Sequence, residues 1–181
     1  MVALDPVSTS DAATNRVLVR LAGPADRQMI AGLLHESGGA HRVCRTSAID
    51  LCKLDAYVAF IGAGETEVFA GMAAARVVGH ELEVSAVVVR TDLDVGDSAL
   101  RRLLLGEVVR WIPDGITRVR YIVANHELGA MADAQRVGLR LSAVRPGSIE
   151  QVRRRNRVLQ LPRGADGIEA RDELEFELLV G

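Results

Sequence analysis

Two rhythms of apolar residues run through the middle of the chain. Leu82–Val89 (LEVSAVVV) is a near-continuous β-branched run, the pattern of a strand covered on both faces. Thr91–Asp97 interrupts it with Asp92, Asp94, Gly96 and Asp97. Apolar residues then return at Ala99, Leu100, Leu103, Leu104, Val108 and Ile112, which predicts a helix over Ser98–Ile112. Asp97 or Ser98 can cap it, and Pro113-Asp114-Gly115 ends it. A helix that starts directly after a strand aims free N–H groups out of the sheet edge, an arrangement suited to an anion.

The same reading extends to both sides. Val17–Leu21 is a strand, and Pro24 opens a helix carrying Met29, Ile30, Leu33 and Leu34 that stops near Ser37-Gly38-Gly39. Ala40–Leu54 predicts a short helix plus irregular chain. Ala56–Ile61, Val68–Val78 and Glu81–Arg90 form a meander turned at Gly62–Glu65 and Gly79-His80. Ile116–Ala124 is a strand and Asn125–Val137 a helix ending at Gly138. Leu139–Val144 and Arg157–Leu161 are strands joined by a polar loop. Asp172–Val180 alternates Leu174, Phe176, Leu178 and Val180 against Glu173, Glu175 and Glu177, an extra strand with one wet face and a candidate exchanged or dimer-edge strand.

Composition narrows the picture. The 181 residues, 49% hydrophobic, suffice for one core: a flexible segment over 1–15, then a single domain over 16–181. A net charge of −2 and 3% aromatic content give no electrostatic or stacking case for nucleic acid. No apolar run reaches the length of a membrane span and Met1–Arg16 lacks a signal-peptide core, so the expected compartment is the cytoplasm. Cys44 and Cys52 are too few for a disulfide framework. Their spacing with His35 and His41 matches no strong metal-ligand pattern, and no metal is expected.

Four local matches, in order along the chain, carry a family resemblance. Arg20-Leu21-Ala22-Gly23-Pro24-Ala25-Asp26 fits R-x-A-x-x-x-D, and Gly71 sits on the third strand. Glu81–Val87 (ELEVSAV) looks like the family strand E-[IL]-x-x-[LI]-[AYH]-V, with Ser85 at its [LI] position, and Gly138-Leu139 stands where a G-F closes the last family helix. With the order β-α-(α)-β-β-β-α-β-α-β-β, the sequence resembles the GCN5-related N-acetyltransferases over roughly Val17–Leu161. The resemblance implies an α/β fold with a mixed, mostly antiparallel sheet splayed between its fourth and fifth strands. It implies acetyl-CoA, or another acyl-CoA, lying in that opening. Pantetheine would pair with Val87, Val88 and Val89, and the pyrophosphate would rest on Gly96, Asp97, Ser98 and Ala99. Asn125 stands near the family asparagine after the fifth strand.

Two departures affect the chemistry. The family pyrophosphate loop reads [QR]-x-x-G-x-[GA]. The helix register puts Thr91, Asp94 and Gly96 at its key positions, whereas an ungapped match puts Asp92, Val95 and Asp97 there. In both, carboxylates face a ligand they repel. No tyrosine lies between Asn125 and Gly138 to protonate a departing thiolate. The catalytic candidates are Glu83, a carboxylate on the splayed strand placed to act as general base, and His126, at the carboxyl-end opening.

The expected function is acyl transfer from a CoA or carrier-protein thioester to an amine of a small molecule or protein, by a homodimer, with an acyl carrier protein as a possible donor partner. The alternative is a non-catalytic or repurposed protein on the same fold, acting in binding or assembly or in a reaction without CoA. The Arg153–Arg157 cluster is a solvated loop or a contact for an acidic partner.

Overall fold

Strand β6 (Glu81–Val89) lies at the centre of a sheet because its residues, Glu83 and Ser85 included, are buried from Leu82 onward. A computed structural model of the chain describes residues 16–45, 47–62, 67–93, 96–156, 164–165 and 167–180. Besides β6, the main sheet contains β1 (Val17–Leu21), β4 (Asp55–Ile61), β5 (Val68–Val78), β7 (Arg118–Ala124), β8 (Arg140–Arg145) and β11 (Glu173–Leu179). Their order is β1-β4-β5-β6-β7-β11-β8, and every neighbouring pair is antiparallel except β6–β7.

Helices cover both faces. On one, α2 (Asp97–Arg110) packs Leu100, Leu104, Leu105 and Val108 against Ala73, Val84, Val87, Val119 and Tyr121, beside α3 (Leu128–Arg136). On the other, α1 (Arg27–Glu36) packs Ile30, Leu33 and Leu34 against Val58, Phe60, Met72, Ala74 and Val88. Small residues make this close layering possible. At Gly71 a Cβ would lie 2.7 Å from the Val88 carbonyl oxygen and 3.0 Å from the Val89 side chain.

The R-x-A-x-x-x-D match has a clear physical role. Arg20 grips the buried Asp26 carboxylate through two nitrogens, at 2.7 and 2.9 Å, while Gly23 N–H donates to it at 2.6 Å. That fastens β1 to the start of α1.

Several expectations need correction. Ala40–Leu54 contains no α-helix: β2 (His41–Cys44) and β3 (Ser47–Asp50) form an antiparallel hairpin, followed by a 3-10 turn over Leu51–Lys53. The polar loop after β8 contains α4 (Ser148–Arg155), which buries Ile149 and Val152. Gly164–Ala165 (β9) and Ile168–Glu169 (β10) add a small antiparallel pair.

The tail strand forms where expected, but inside the sheet rather than at an exchanged or dimer edge. β11 pairs with β7 on one side and β8 on the other. Its expected wet face is not wet either, because Glu173 and Glu175 are buried. The strand expected over Arg157–Leu161, the N-terminal segment and residues 63–66 of the first meander turn lie outside the described residues.

Candidate active site

The parallel pairing of β6 with β7 runs from Glu81↔Arg118 to Val84↔Tyr121 and stops there. A bulge near Ser85 interrupts the β5–β6 register at the same level, as a strand bending out of a sheet requires. From Ala86 to Val89 the strand keeps β5 on one edge and has no ladder with β7 on the other. This is the splay expected from the resemblance. A strand edge with no ladder partner can take up an extended amide-bearing chain such as pantetheine. Val87, Val88 and Val89 form this edge.

At the end of β6 the chain turns into α2, whose N-cap is Gly96. Ala99 N–H bonds back to Gly96 at 2.8 Å, and helix geometry leaves the Asp97 and Ser98 amides without an intrahelical acceptor. These amides suit a phosphate oxygen, but the side chains around them fit less well. Asp97 places a carboxylate in the first turn. Asp92 is neutralised by Arg90, which donates Nε to it at 2.9 Å and pairs with it again through a terminal nitrogen. Asp94 lies outside the described residues.

The cations that could oppose Asp97 are otherwise engaged. Buried Asp133 of α3 accepts Ser98 Oγ–H at 2.6 Å and Arg101 Nε–H at 2.9 Å, tying α3 to the start of α2. Arg102 donates to the Ser98 carbonyl. Beside the turn, an open groove of about 820 Å³ runs between α1 and the ends of β5 and β6, lined in part by Glu36, Glu67 and Asp92.

Asn125 is also engaged. Its Oδ1 accepts Arg171 and Asp172 N–H at 2.8 and 3.1 Å, and its Nδ2 donates to the Glu169 carbonyl at 2.9 Å. It anchors the approach to β11, so its side chain is not positioned to hold a cofactor.

Glu83 and His126 stand in very different surroundings. Glu83 accepts Arg76 Nε–H at 2.8 Å and lies 2.6 Å from an Arg76 terminal nitrogen, with its side chain 2% exposed. Arg45 Nε lies 3.8 Å from its other oxygen. Two guanidiniums thus enclose this carboxylate, and it does not line the cavity at the splay. The geometry gives Glu83 the part of an ion-pair partner rather than a base.

His126 does line that cavity, together with Ser85, Glu173, Glu127, Arg42 and Ile122. The volume is about 20 Å³, room for a single water. His126 is 8% exposed, and its Nδ1 is buried without a hydrogen-bond partner. Burial lowers its pKa; nearby Glu127 opposes this, while Arg42 and Arg153 reinforce it. The imidazole is therefore neutral at pH 7, with a lone pair available. Arg42 of the hairpin binds Glu127 at 2.7 Å and forms part of the same wall.

The remaining candidates have structural surroundings. His80 Nδ1 is 3.1 Å from the Gly115 carbonyl oxygen. Cys44 is buried, and burial pushes its thiol pKa well up, which disfavours the thiolate a nucleophile needs. Among the described residues, no group of three or more His, Cys, Asp and Glu is arranged to hold a metal. Among the described residues, no helix is long and apolar enough to cross a membrane.

Sequence reasoning missed the arginines that face the sheet carboxylates. Arg76, Arg118 and Arg120 were legible in principle, since each lies at the strand register of an acidic partner. Arg45 was not, because its hairpin was not recognised.

No protein-family model and no curated protein matches this sequence. Solved structures match in fold. A Bacillus subtilis acetyltransferase in complex with CoA is 14% identical with a TM-score of 0.60, the match covering 92% of this chain and 99% of that one. The ribosomal-protein-S18-alanine N-acetyltransferase from Escherichia coli is 12% identical with a TM-score of 0.61, over 91% and 94% of the two chains. A GNAT family acetyltransferase from Elizabethkingia anophelis, with acetyl-CoA bound, is 13% identical with a TM-score of 0.57, over 91% and 98%.

Proposed function

We propose that this chain, which has the fold of the GCN5-related N-acetyltransferases, transfers an acyl group from a CoA thioester to an amine. The observation that carries this reading is the end of the β6–β7 ladder at Val84–Tyr121, which leaves the β6 edge open beside a water-sized cavity containing a neutral histidine. A bound acyl-CoA would supply the thioester carbonyl that the amine attacks, the C–N bond forming and the C–S bond breaking, with CoA leaving as a thiolate that takes up, through water, the second proton lost by the amine nitrogen. Everything else falls to the protein. The edge of Val87–Val89 would align the pantetheine, and the amides of Asp97 and Ser98 would meet the pyrophosphate. His126 Nδ1, through one water in the cavity, would take the proton that the acceptor ammonium must lose before attack. Holding amine and thioester together supplies a large share of the acceleration.

Asp97 favours a second reading of the donor. A phosphopantetheine arm on a carrier protein brings fewer phosphates to this acidic helix start than CoA does.

We further propose a homodimer in the cytoplasm. The outer edge of β8, which among the described residues pairs with β11 alone, exposes Leu141 and Val144 and supports the dimer.

Calorimetric titration with acetyl-CoA, followed by a thiol-release assay over a panel of amines, tests the main reading. Binding with release of free CoA in the presence of an amine is expected. Absence of binding at millimolar acetyl-CoA would overturn it.

A further inference from the structure

Strand β6 holds one residue more than β5 can pair. Ala75 pairs with Val84 and Ala74 with Ala86, so Ser85 is the extra residue of the bulge. The insertion changes which way the strand faces. Leu82 and Val84 pack under α2, as do Val87 and Val89, whereas Ala86 and Val88 join the cluster under α1. Strict alternation would send Ala86 to the α2 side with Val84. The bulge instead leaves Ser85 and Ala86 adjacent on the other face, where Ser85 lines the His126 cavity.

Ser85 is 3% exposed, and its Oγ has no hydrogen-bond partner. A hydroxyl buried in this way costs free energy that an alanine would not. His126 Nδ1, on the same cavity, is also buried without a hydrogen-bond partner. The charged residues of the wall are engaged: Glu173 accepts Arg45 N–H at 3.0 Å, and Glu127 accepts Arg42 at 2.7 Å and the Ala124 amide at 2.9 Å. Because the space is about 20 Å³, the size of one water, a single molecule in it meets both the hydroxyl and the imidazole.

We propose that Ser85 is a positioning residue for His126, the two side chains holding one water between them. The water donates one O–H to His126 Nδ1 and the other to Ser85 Oγ, which leaves its lone pairs for the incoming amine. The Ser85 hydrogen can turn to the Cys44 sulfur beside it, a weak acceptor. As the acceptor ammonium gives a proton to the water, the water gives its own to Nδ1. The water is regenerated, the charge moves to the imidazole, and Ser85 keeps its proton throughout. Without the hydroxyl the water can turn away from Nδ1, and the relay loses its alignment. The kinetic role rests on the acyl-transfer reading above; the water site itself does not.

The first test needs no variant: a crystal structure of the wild-type protein should show a water within about 3.2 Å of both Ser85 Oγ and His126 Nδ1. A cavity without that bridge would overturn the proposal. The second is kinetic. Ser85→Ala should lower kcat about tenfold and leave the acetyl-CoA KM within roughly twofold, since alignment is lost and cofactor binding is not. Ser85→Thr, which keeps the hydroxyl, should recover most of the loss. Because Ser85 acts only through His126, adding Ser85→Ala to His126→Gln should cost nothing further, whereas a merely structural serine would give additive losses. Additive losses, or wild-type kcat in Ser85→Ala, would overturn the proposal. Acetyl-CoA titrated into the same samples separates the two readings. A bridging water without CoA binding leaves the water site standing and removes acyl transfer together with the kinetic role. CoA binding and turnover with no Ser85 effect removes this inference alone.

Discussion

Glu83 and Arg76 face each other across the β5–β6 ladder, the carboxylate accepting Nε–H at 2.8 Å with a terminal guanidinium nitrogen at 2.6 Å. Such a carboxylate stabilises the sheet and is poorly placed to collect a proton from a substrate. Glu83→Gln should cost about 1.5–3 kcal/mol, read as a lower urea midpoint, because a charge-assisted bond is lost at a buried site. Turnover per folded molecule at pH 7 should stay within about twofold. A tenfold loss in properly folded protein would return Glu83 to the mechanism.

His126 should set the acidic limb of the pH profile. Its pKa is lowered by burial, so the neutral base is present at pH 7 and is lost as pH falls through a value below the ordinary 6.5. Activity should therefore rise with pH through that point and level off. His126→Gln should abolish the limb and reduce kcat by about 10²–10⁴, the usual range for a general base. The same shift acts on stability. The unfolded chain binds the proton more readily, so the stabilising contribution is complete above about pH 6.5 and fades as pH falls through the folded value. Thermal melts at pH 7.5 and 5.5 should differ less in His126→Gln than in the wild type.

Asp97 opposes a pyrophosphate at the start of α2. Asp97→Asn should tighten CoA binding by about fivefold for ~1 kcal/mol of relieved repulsion, with the gain shrinking as salt is raised. It should also cost ~0.3–1 kcal/mol of stability, since a carboxylate there favours the helix dipole. Equal CoA affinity in the two proteins at low salt would place the phosphates elsewhere.

Gly71 lets β5 approach the end of β6. In Gly71→Ala the new methyl would meet the Val88 carbonyl and the Val89 side chain, displacing the edge proposed for pantetheine. The expected cost is about 1–3 kcal/mol, the usual range for overpacking, together with weaker CoA binding. A variant with normal melting and normal CoA affinity would show that β6 accommodates the shift without using that edge.

How much could be seen in advance depends on which force shapes each segment. The β6–turn–α2 unit was legible because hydrophobic burial alone sets its pattern: Leu100, Leu104 and Val108 recur at helical spacing, and Val87–Val89 form a continuous run. The β2–β3 hairpin was not, since it shows little alternation and is held by distant partners, Cys44 and Ile49 in the core and Arg45 among carboxylates. Helix α4 was hidden by its charge, with only Ile149 and Val152 marking a buried side. The glutamates of β11 misled for a related reason. A solvated carboxylate and a paired one are the same letter, and only the fold brings Arg120 and Arg145 to Glu175. His126 was legible by position after β7, but its neutrality comes from burial that no local pattern shows.

The place of β11 between β7 and β8 also sets the order of events during synthesis. The ribosome delivers β7 and β8 well before their shared neighbour, and neither strand is the other's ladder partner in the finished sheet. Until Glu173–Leu179 emerge, Glu175 is absent and Arg120 and Arg145 lack a common counter-ion. The nascent chain can assemble β1, β4, β5 and β6 under α2 early, because those contacts join segments already made. The half that carries the His126 cavity must wait, since Glu173, one of its walls, is translated after both β7 and β8. Closure of that cavity is thus tied to the arrival of β11.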